Sequence, residues 1–193
     1  MDNLDMPNTI SINPDAFTSG QISSKIWLCE QLEQIKFDKP QVVWVYGGWY
    51  GMMSFLLLSR NNIPIKHIRS FDIDPSAESI ADLLLENWIW QGWKFKAFTA
   101  DCNQMNFTNE KPTIIINCSV EHFEDTKWVD DIPQGTLLVL QSNNMSHATH
   151  VSCVSSLAEF EQQYDLDLKF SGKLDFEYPA WQFSRYMLIG YKN

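Results

Sequence analysis

The sequence contains few cysteines, few basic residues and no long hydrophobic run. Its four cysteines are scattered among 193 residues, with no C-x-x-C pair and no regular spacing. This arrangement argues against a disulfide framework or a zinc ribbon and fits a reducing cytosol. No stretch approaches the roughly 20 apolar residues that span a bilayer, and the N-terminus lacks the basic and apolar segments of a signal peptide. We therefore expect a cytoplasmic protein with no membrane partner.

Positive charge is also scarce. Lysine and arginine total 14 against 24 aspartates and glutamates, which gives a formal net charge of −10. Such a field repels polyanions, and the chain has no cluster of basic residues of the kind that binds a phosphate backbone. Extended nucleic-acid binding is therefore disfavoured and a small-molecule ligand is expected, although a local site for one flipped base or an RNA end is compatible with this charge. The sequence does not indicate the oligomeric state.

No repeat, low-complexity run or flexible linker divides the chain, so we expect one domain over residues 17–193. Residues 1–16 are rich in Asn, Asp and Pro and predict a flexible N-terminal arm.

Hydrophobic periodicity predicts alternating helices and strands. Strands are expected at residues 41–46, 65–71, 94–99, 112–117, 135–140, 166–172 and 182–190, and helices at 19–35, 50–60, 79–90, 121–129 and 152–164. Alternation of this kind implies a doubly wound α/β fold with a mostly parallel sheet of seven strands and helices on both faces. The last two strands are joined by a short loop and should form a C-terminal antiparallel hairpin.

Ligands of such sheets bind beyond the carboxyl ends of the strands, and polar or glycine-rich segments follow the first four strands here. The candidate binding residues are Gly47, Gly48, Trp49 and Gly51 after the first strand, Asp72 and Ile73 after the second, Asp101 and Cys102 after the third, and Asn117, Glu121 and His122 after the fourth. Glycines permit a tight turn and close backbone approach to a ligand, and an acidic side chain can accept hydrogen bonds from ribose hydroxyls. Each feature alone also fits a plain turn or a helix cap, but their conjunction is much rarer.

These motifs resemble those of the class I S-adenosylmethionine-dependent methyltransferases over roughly residues 17–193. Residues 45–51 are similar to the family's glycine loop, Asp72 matches its ribose-binding acid, and Asp101 matches its third-strand aspartate beside the adenine. Glu121-His122 matches a fourth-strand Glu-His pair seen in many members. The terminal hairpin agrees with the family's sheet, whose last strand runs antiparallel between two others. The resemblance implies a Rossmann-like fold and S-adenosylmethionine as cofactor.

The glycine loop departs from the family pattern at two positions. Val45 stands where the family usually has an acid, and Trp49 stands where its second glycine would be. The Trp49 ring must therefore either point away and pack under the following helix or alter the cofactor pocket. A dinucleotide-binding loop fits less well, because Tyr46 would occupy the first glycine of its G-x-G-x-x-G pattern.

The polar start of the first helix has two interpretations. Gln21, Ser24 and Lys25 can belong to a simple helix cap. Alternatively, this segment folds over the cofactor and Lys25 holds the amino-acid carboxylate, since lysine forms charge-assisted hydrogen bonds with carboxylates.

Histidines provide the remaining candidates. Glu121 and His122 are predicted as catalytic residues forming a general base pair, with capping of the following helix as an equal alternative. His147, His150 and Cys153 form H-x-x-H-x-x-C, but no further ligand in that segment completes a tetrahedral site, so no metal is expected.

The sequence thus favours an enzyme that transfers a methyl group from S-adenosylmethionine to an O or N atom of a small or medium acceptor. The alternative is a catalytically silent Rossmann-like binding or regulatory module, motivated by Trp49. An oxidoreductase that uses a dinucleotide ranks third.

Overall fold

A computed structural model describes residues 12–179 and 181–193 of the chain. In these residues the strands are β1 (Gln41–Tyr46), β2 (Ile65–Asp72), β3 (Phe95–Thr99), β4 (Ile114–Asn117), β5 (Leu137–Asn143), β6 (Leu166–Tyr178) and β7 (Trp181–Lys192). The α-helices are α1 (Ser19–Leu32), α2 (Met52–Arg60), α3 (Pro75–Leu84), α4 (Glu86–Trp90) and α5 (Leu157–Gln163). None of the helices in this part of the chain combines the length and hydrophobicity needed to cross a bilayer.

The strands form one sheet in the order β3-β2-β1-β4-β5-β7-β6. The first five strands in this order are parallel, whereas β7 runs antiparallel to both β5 and β6. This topology confirms the predicted doubly wound sheet with its terminal hairpin. Tyr46 lies in register with Phe71 of β2 and Asn117 of β4, so the carboxyl ends of the three central strands lie level.

Both faces of β1 are buried, as its uninterrupted apolar sequence predicts. Val43 and Val45 pack into a core that includes residues of α1 and α2, whereas Trp44 and Tyr46 pack into a second core that includes Phe160 of α5. The central strands are therefore covered on both sides, and the accessible positions lie in the loops that follow their carboxyl ends.

Local hydrogen bonds explain where the helices differ from the predicted ranges. The α3 helix begins at Pro75 because the side chain of Asp74 caps it by accepting the N–H of Ser76. The predicted helix 121–129 was wrong: residues Val120–His122 and Lys127–Val129 are separate 3₁₀ helices. Between them the carboxylate of Asp125 accepts the N–H of Lys127, a local bond that competes with a continuous helix.

The described residues include the last part of the segment predicted as a flexible arm. Residues Pro14–Phe17 form a 3₁₀ helix, and Ala16 is buried. The backbone N–H of Asn13 donates to the hydroxyl of Tyr50 over 3.3 Å. Of the predicted arm 1–16, residues 1–11 lie outside the described residues.

Candidate functional site

A cleft of about 700 Å³ opens at the carboxyl ends of the central strands. The sequence-predicted residues on its wall are Lys25, Gly47, Gly48, Trp49, Asp72, Ile73, Asp101, Cys102, Glu121 and His122. The fold therefore brings together segments that are up to 97 positions apart in the chain, from Lys25 to His122. Gly51 and Asn117 do not line the cleft.

The loop after β1 is pressed against the neighbouring strands. Gly47 has a φ of +57°, and a Cβ added there would lie 2.7 Å from the hydroxyl of Ser119. A Cβ on Gly48 would lie only 1.9 Å from the hydroxyl of Ser70. Glycine at both positions allows the bare backbone of the loop to form the floor of the cleft.

Gly51 and Asn117 support the site from outside it. Gly51 precedes α2 with a φ of +77°, and a Cβ there would lie 2.8 Å from a methyl carbon of Leu85. Asn117 is fully buried, and its Oδ1 atom accepts the N–H of Ser119 over 3.0 Å. These two residues therefore pack a helix and shape a loop in this structure.

Asp72 is held at the edge of the cleft by backbone groups. Its Oδ2 accepts the N–H of Trp49 over 2.8 Å, and its Oδ1 accepts the N–H of Asp74 over 3.0 Å. A carboxylate has about four lone-pair positions, so each oxygen retains one for a ligand. The next side chain, Ile73, also lines the cleft and is 72% exposed, which places an apolar surface beside the carboxylate.

The Trp49 ring packs against a helix and also lines the cleft. The half-buried ring packs with Tyr50, at a ring distance of 5.1 Å, and with Ala77 and Ile80 of α3. It therefore packs against α3 instead of the helix that directly follows the loop. The ring also lines the cleft, which stays open beside it.

The third-strand loop is tightly ordered by its own aspartate. Asp101 Oδ1 accepts the N–H of Asn103, and its Oδ2 accepts the side-chain amide of Gln104. The bond from the Asn103 backbone lowers the pKa of the Asp101 carboxyl below its ordinary value. Burial raises the pKa of the Cys102 thiol to about 12, so this cysteine stays protonated and is a poor nucleophile.

Lys25 projects from α1 to the cleft without a carboxylate partner among the described residues. Its Nζ donates to the side-chain carbonyl of Gln21 over 2.6 Å. Burial lowers the pKa of the Lys25 ammonium, because the charged form loses hydration there. A negatively charged ligand group would supply the missing counter-charge.

A buried ion pair that the sequence analysis did not predict lies beneath the fourth-strand loop. Arg185 of β7 places Nη1 3.7 Å from Oε1 of Glu121 and donates to the carbonyl of Cys118 over 3.0 Å. Asn143 donates to the same Glu121 oxygen over 2.5 Å. The other oxygen, Oε2, is buried and has no hydrogen-bond partner among the described residues. A lone arginine in the apolar β7 sequence was the available signal for this pair.

Two imidazoles lie next to Glu121. His122 places Nδ1 3.0 Å from the carbonyl of Thr149, and His150 places Nδ1 2.7 Å from the carbonyl of Met145. The two rings are 4.9 Å apart and nearly perpendicular. The fold thus places His122 next to His150, a proximity that the sequence spacing did not indicate.

Comparison with known proteins agrees with this architecture. No protein-family model matches the sequence, and no curated protein matches it either. Solved structures do match. Magnesium protoporphyrin IX methyltransferase from Synechocystis PCC 6803, crystallised with bound SAM, gives a TM-score of 0.65 at 11% identity, covering 96% of this chain and 85% of that chain.

Two further structures are similar. The N-methyltransferase NodS from Bradyrhizobium japonicum WM9 gives a TM-score of 0.61 at 12% identity, covering 93% of this chain and 99% of that chain. YcgJ from Bacillus subtilis gives 0.65 at 12% identity, covering 87% and 99%. At such low identity these likenesses show the fold: the chain has the Rossmann-like fold of the class I S-adenosylmethionine-dependent methyltransferases.

Proposed function

We propose that this protein is an S-adenosylmethionine-dependent methyltransferase that acts on an O or N atom of a small or medium acceptor. The observation that carries the proposal is the arrangement of three different groups on one cleft. Asp72 offers free acceptor positions, Ile73 offers an exposed apolar surface, and Lys25 offers an ammonium that forms no ion pair with a carboxylate of the described residues.

These three groups fit the three chemically distinct parts of the cofactor. Asp72 would accept hydrogen bonds from the ribose hydroxyls through the lone pairs that Trp49 and Asp74 leave free. Ile73 would contact the adenine ring, in keeping with the mostly apolar lining of small-molecule sites. Lys25 would bind the carboxylate through a charge-assisted hydrogen bond. The side-chain-free floor at Gly47 leaves room for the cofactor between them.

When bound, S-adenosylmethionine supplies a methyl group on a cationic sulfur to a nucleophile aligned with the carbon–sulfur bond. The task of the chain is then mainly positioning, which can supply about 7–11 kcal/mol of a reaction barrier. Residues of the strand ends and of α1 would hold one reactant. The loop that carries His147 and His150 lies on the same cleft and would contact the acceptor.

Glu121 and His122 are the proposed catalytic residues. A carbonyl oxygen can only accept, so the contact with Thr149 places the proton of neutral His122 on Nδ1 and leaves a lone pair on Nε2. That nitrogen can take a proton from an acceptor hydroxyl or amine as the methyl group is transferred. The nearby Glu121 carboxylate would stabilise the imidazolium that results.

We further propose that the protein works in the cytoplasm. All four cysteines lie in the described part of the chain and none forms a disulfide. Unpaired cysteines are typical of a reducing compartment.

The proposal is tested by thermal unfolding in the presence of candidate ligands. A ligand that binds only the folded state raises the melting temperature, because it adds RT ln(1 + [L]/Kd) to the free energy of unfolding. We expect a rise with S-adenosylmethionine and with its demethylated product, and none with NADH or NADPH. A rise with a dinucleotide alone would contradict the proposal.

A further inference from the structure

We propose that Glu121, His122 and His150 form a binding site for a divalent transition-metal ion at the acceptor end of the cleft. The role of the ion in methyl transfer rests on the proposed function, whereas its binding does not. One ligand atom from each of these three residues lies within 4.8 Å of the others. His147 and Cys153, the other two residues of the H-x-x-H-x-x-C motif, are not part of this group.

The Glu121 carboxylate is buried but only one of its oxygens has a hydrogen-bond partner among the described residues. Glu121 is 2% exposed, and its Oε1 atom accepts a hydrogen bond from Asn143 and faces Arg185. Oε2 has no partner among the described residues although it is buried beside the cleft. An unsatisfied buried carboxylate oxygen costs free energy, and a cation would satisfy it.

Backbone carbonyls orient the two imidazoles. Both Nδ1 atoms face backbone carbonyls, of Thr149 for His122 and of Met145 for His150. Carbonyls accept only, so both neutral rings carry their proton on Nδ1 and present the lone pair on Nε2. Metal-binding histidines are usually oriented in this way, by donating the other ring N–H to a carbonyl or carboxylate.

The distances require a small adjustment on binding. Metal–ligand bonds of about 2.0–2.2 Å place the ligand atoms of a tetrahedral site roughly 3.3–3.6 Å apart. The ligand atoms now lie up to 4.8 Å apart, so each distance between them must shorten by at most about 1.5 Å when an ion binds. His122 is exposed at the end of the 3₁₀ helix Val120–His122, so its ring has room to shift while Nδ1 keeps its contact with the Thr149 carbonyl.

The ligand set selects the class of metal. One carboxylate and two imidazoles suit zinc, cobalt, iron or nickel, whereas magnesium and calcium prefer oxygen ligands alone. Cys153 is not suited as a fourth ligand, because its sulfur lies 3.5 Å from Nδ1 of His150, the protonated nitrogen. Three protein ligands leave a coordination position open, as in catalytic zinc sites.

The open position gives the site a function. An acceptor hydroxyl bound there becomes more acidic, so its O–H bond breaks at lower pH, the proton passes to water and the electron pair stays on the metal-bound oxygen. With the ion bound, His122 is a ligand and no longer a base. The site therefore favours an oxygen acceptor over a nitrogen acceptor.

The test uses the full chain, freed of metal by a chelator, and titrates it with Zn²⁺ by calorimetry and with Co²⁺ by visible absorption. We expect one ion per chain and a cobalt spectrum typical of nitrogen and oxygen ligands. H122Q and H150Q should each weaken binding about 10–100-fold, at least as much as loss of an outer-sphere partner. The matched control is H147Q, which removes a histidine of the same loop outside the group and should bind like the wild type.

Three results would overturn the site: no binding by the wild type, equal affinity in H122Q, H150Q and the wild type, or a cobalt–thiolate band that C153S abolishes. Binding of S-adenosylmethionine to the metal-free protein is measured in parallel. Cofactor binding without zinc binding overturns the metal site alone. Zinc binding that follows the predicted variants, in a protein that does not bind the cofactor, supports the site and contradicts the proposed function.

Discussion

The carboxylate of Asp72 accepts the backbone N–H of Trp49 over 2.8 Å and so ties the end of β2 to the loop after β1. Trp49 has a φ of +46°, a left-handed conformation that non-glycine residues rarely adopt. Asp72 therefore stabilises the shape of the loop as well as presenting free lone pairs to the cleft. A change at this position should affect both the fold and the binding of a ligand.

Replacement of Asp72 by alanine should weaken cofactor binding more than it destabilises the fold. We expect cofactor affinity to fall by about 1.5–3 kcal/mol, the usual contribution of a hydrogen bond to a charged group. The free energy of unfolding should fall by only about 1 kcal/mol, since the released N–H groups are partly exposed and can bind water. Calorimetry and urea unfolding measure the two quantities. D74A is the control, because it removes the α3 cap but not the bond to Trp49.

D74A should lose about 1 kcal/mol of stability while binding the cofactor as the wild type does. Unchanged cofactor affinity in D72A would show that another group holds the ribose.

Because the pKa of Lys25 is lowered, we predict that the affinity for the cofactor depends on pH. In the free protein this pKa is below the ordinary 10.5, and a bound carboxylate would raise it again. Between these two values the complex holds more protons than the free protein, so affinity must fall as pH rises through this range. Calorimetry from neutral to alkaline pH should show this fall in the wild type.

K25M provides the control for Lys25. It should bind the cofactor about 10–150-fold more weakly at neutral pH, which corresponds to 1.5–3 kcal/mol, and with a flatter pH dependence. An equally steep dependence in K25M would assign the titration to a different group.

Alanine substitutions at Gly51 and Gly135 together measure the effect of packing on stability. Both have left-handed backbones, with φ of +77° and +76°, but a Cβ on Gly51 would strike Leu85 whereas none of the described atoms lies within 4 Å of a Cβ on Gly135. G135A should therefore cost about 1 kcal/mol from backbone strain alone. G51A should cost about 1–3 kcal/mol more, because Leu85 is buried and cannot easily move. Equal unfolding midpoints in urea would contradict this packing.

Replacement of Trp49 by glycine tests whether the ring obstructs the cofactor. The ring is half-buried and the backbone is left-handed, so lost packing is partly offset by relief of strain. We expect a stability loss smaller than the roughly 3–5 kcal/mol of a fully buried aromatic residue. Cofactor affinity should be preserved, since the bond from the Trp49 N–H to Asp72 does not involve the ring. An affinity loss of more than about 1.4 kcal/mol, or tenfold, would instead make the ring a binding element.

The sheet and most of the cleft were predictable because strands such as β1 are buried on both faces and have continuous apolar sequences. The positions after these strands then converge at one sheet edge by topology alone, which places Asp72, Asp101 and Glu121 in one region. Short polar segments were less predictable. At Asp125 a single side-chain hydrogen bond replaced a helix with two 3₁₀ turns.

Contacts between distant loops could not be predicted from spacing. His150 joins Glu121 because Val151 and Ser152 donate their backbone N–H groups to the Glu121 carbonyl. Such a loop-to-loop pairing has no periodic signal in the sequence. Arg185 likewise reaches Glu121 only because β7 inserts beside β5, which brings the last strand next to the centre of the sheet.

The most direct test of the proposed function is a calorimetric titration of the wild-type protein with S-adenosylmethionine. We predict saturable binding of one cofactor per chain, competed by the demethylated product and weakened about 10–150-fold by K25M. If the wild type does not bind S-adenosylmethionine at millimolar concentration, or if K25M binds it as tightly as the wild type, this cleft is not the cofactor site.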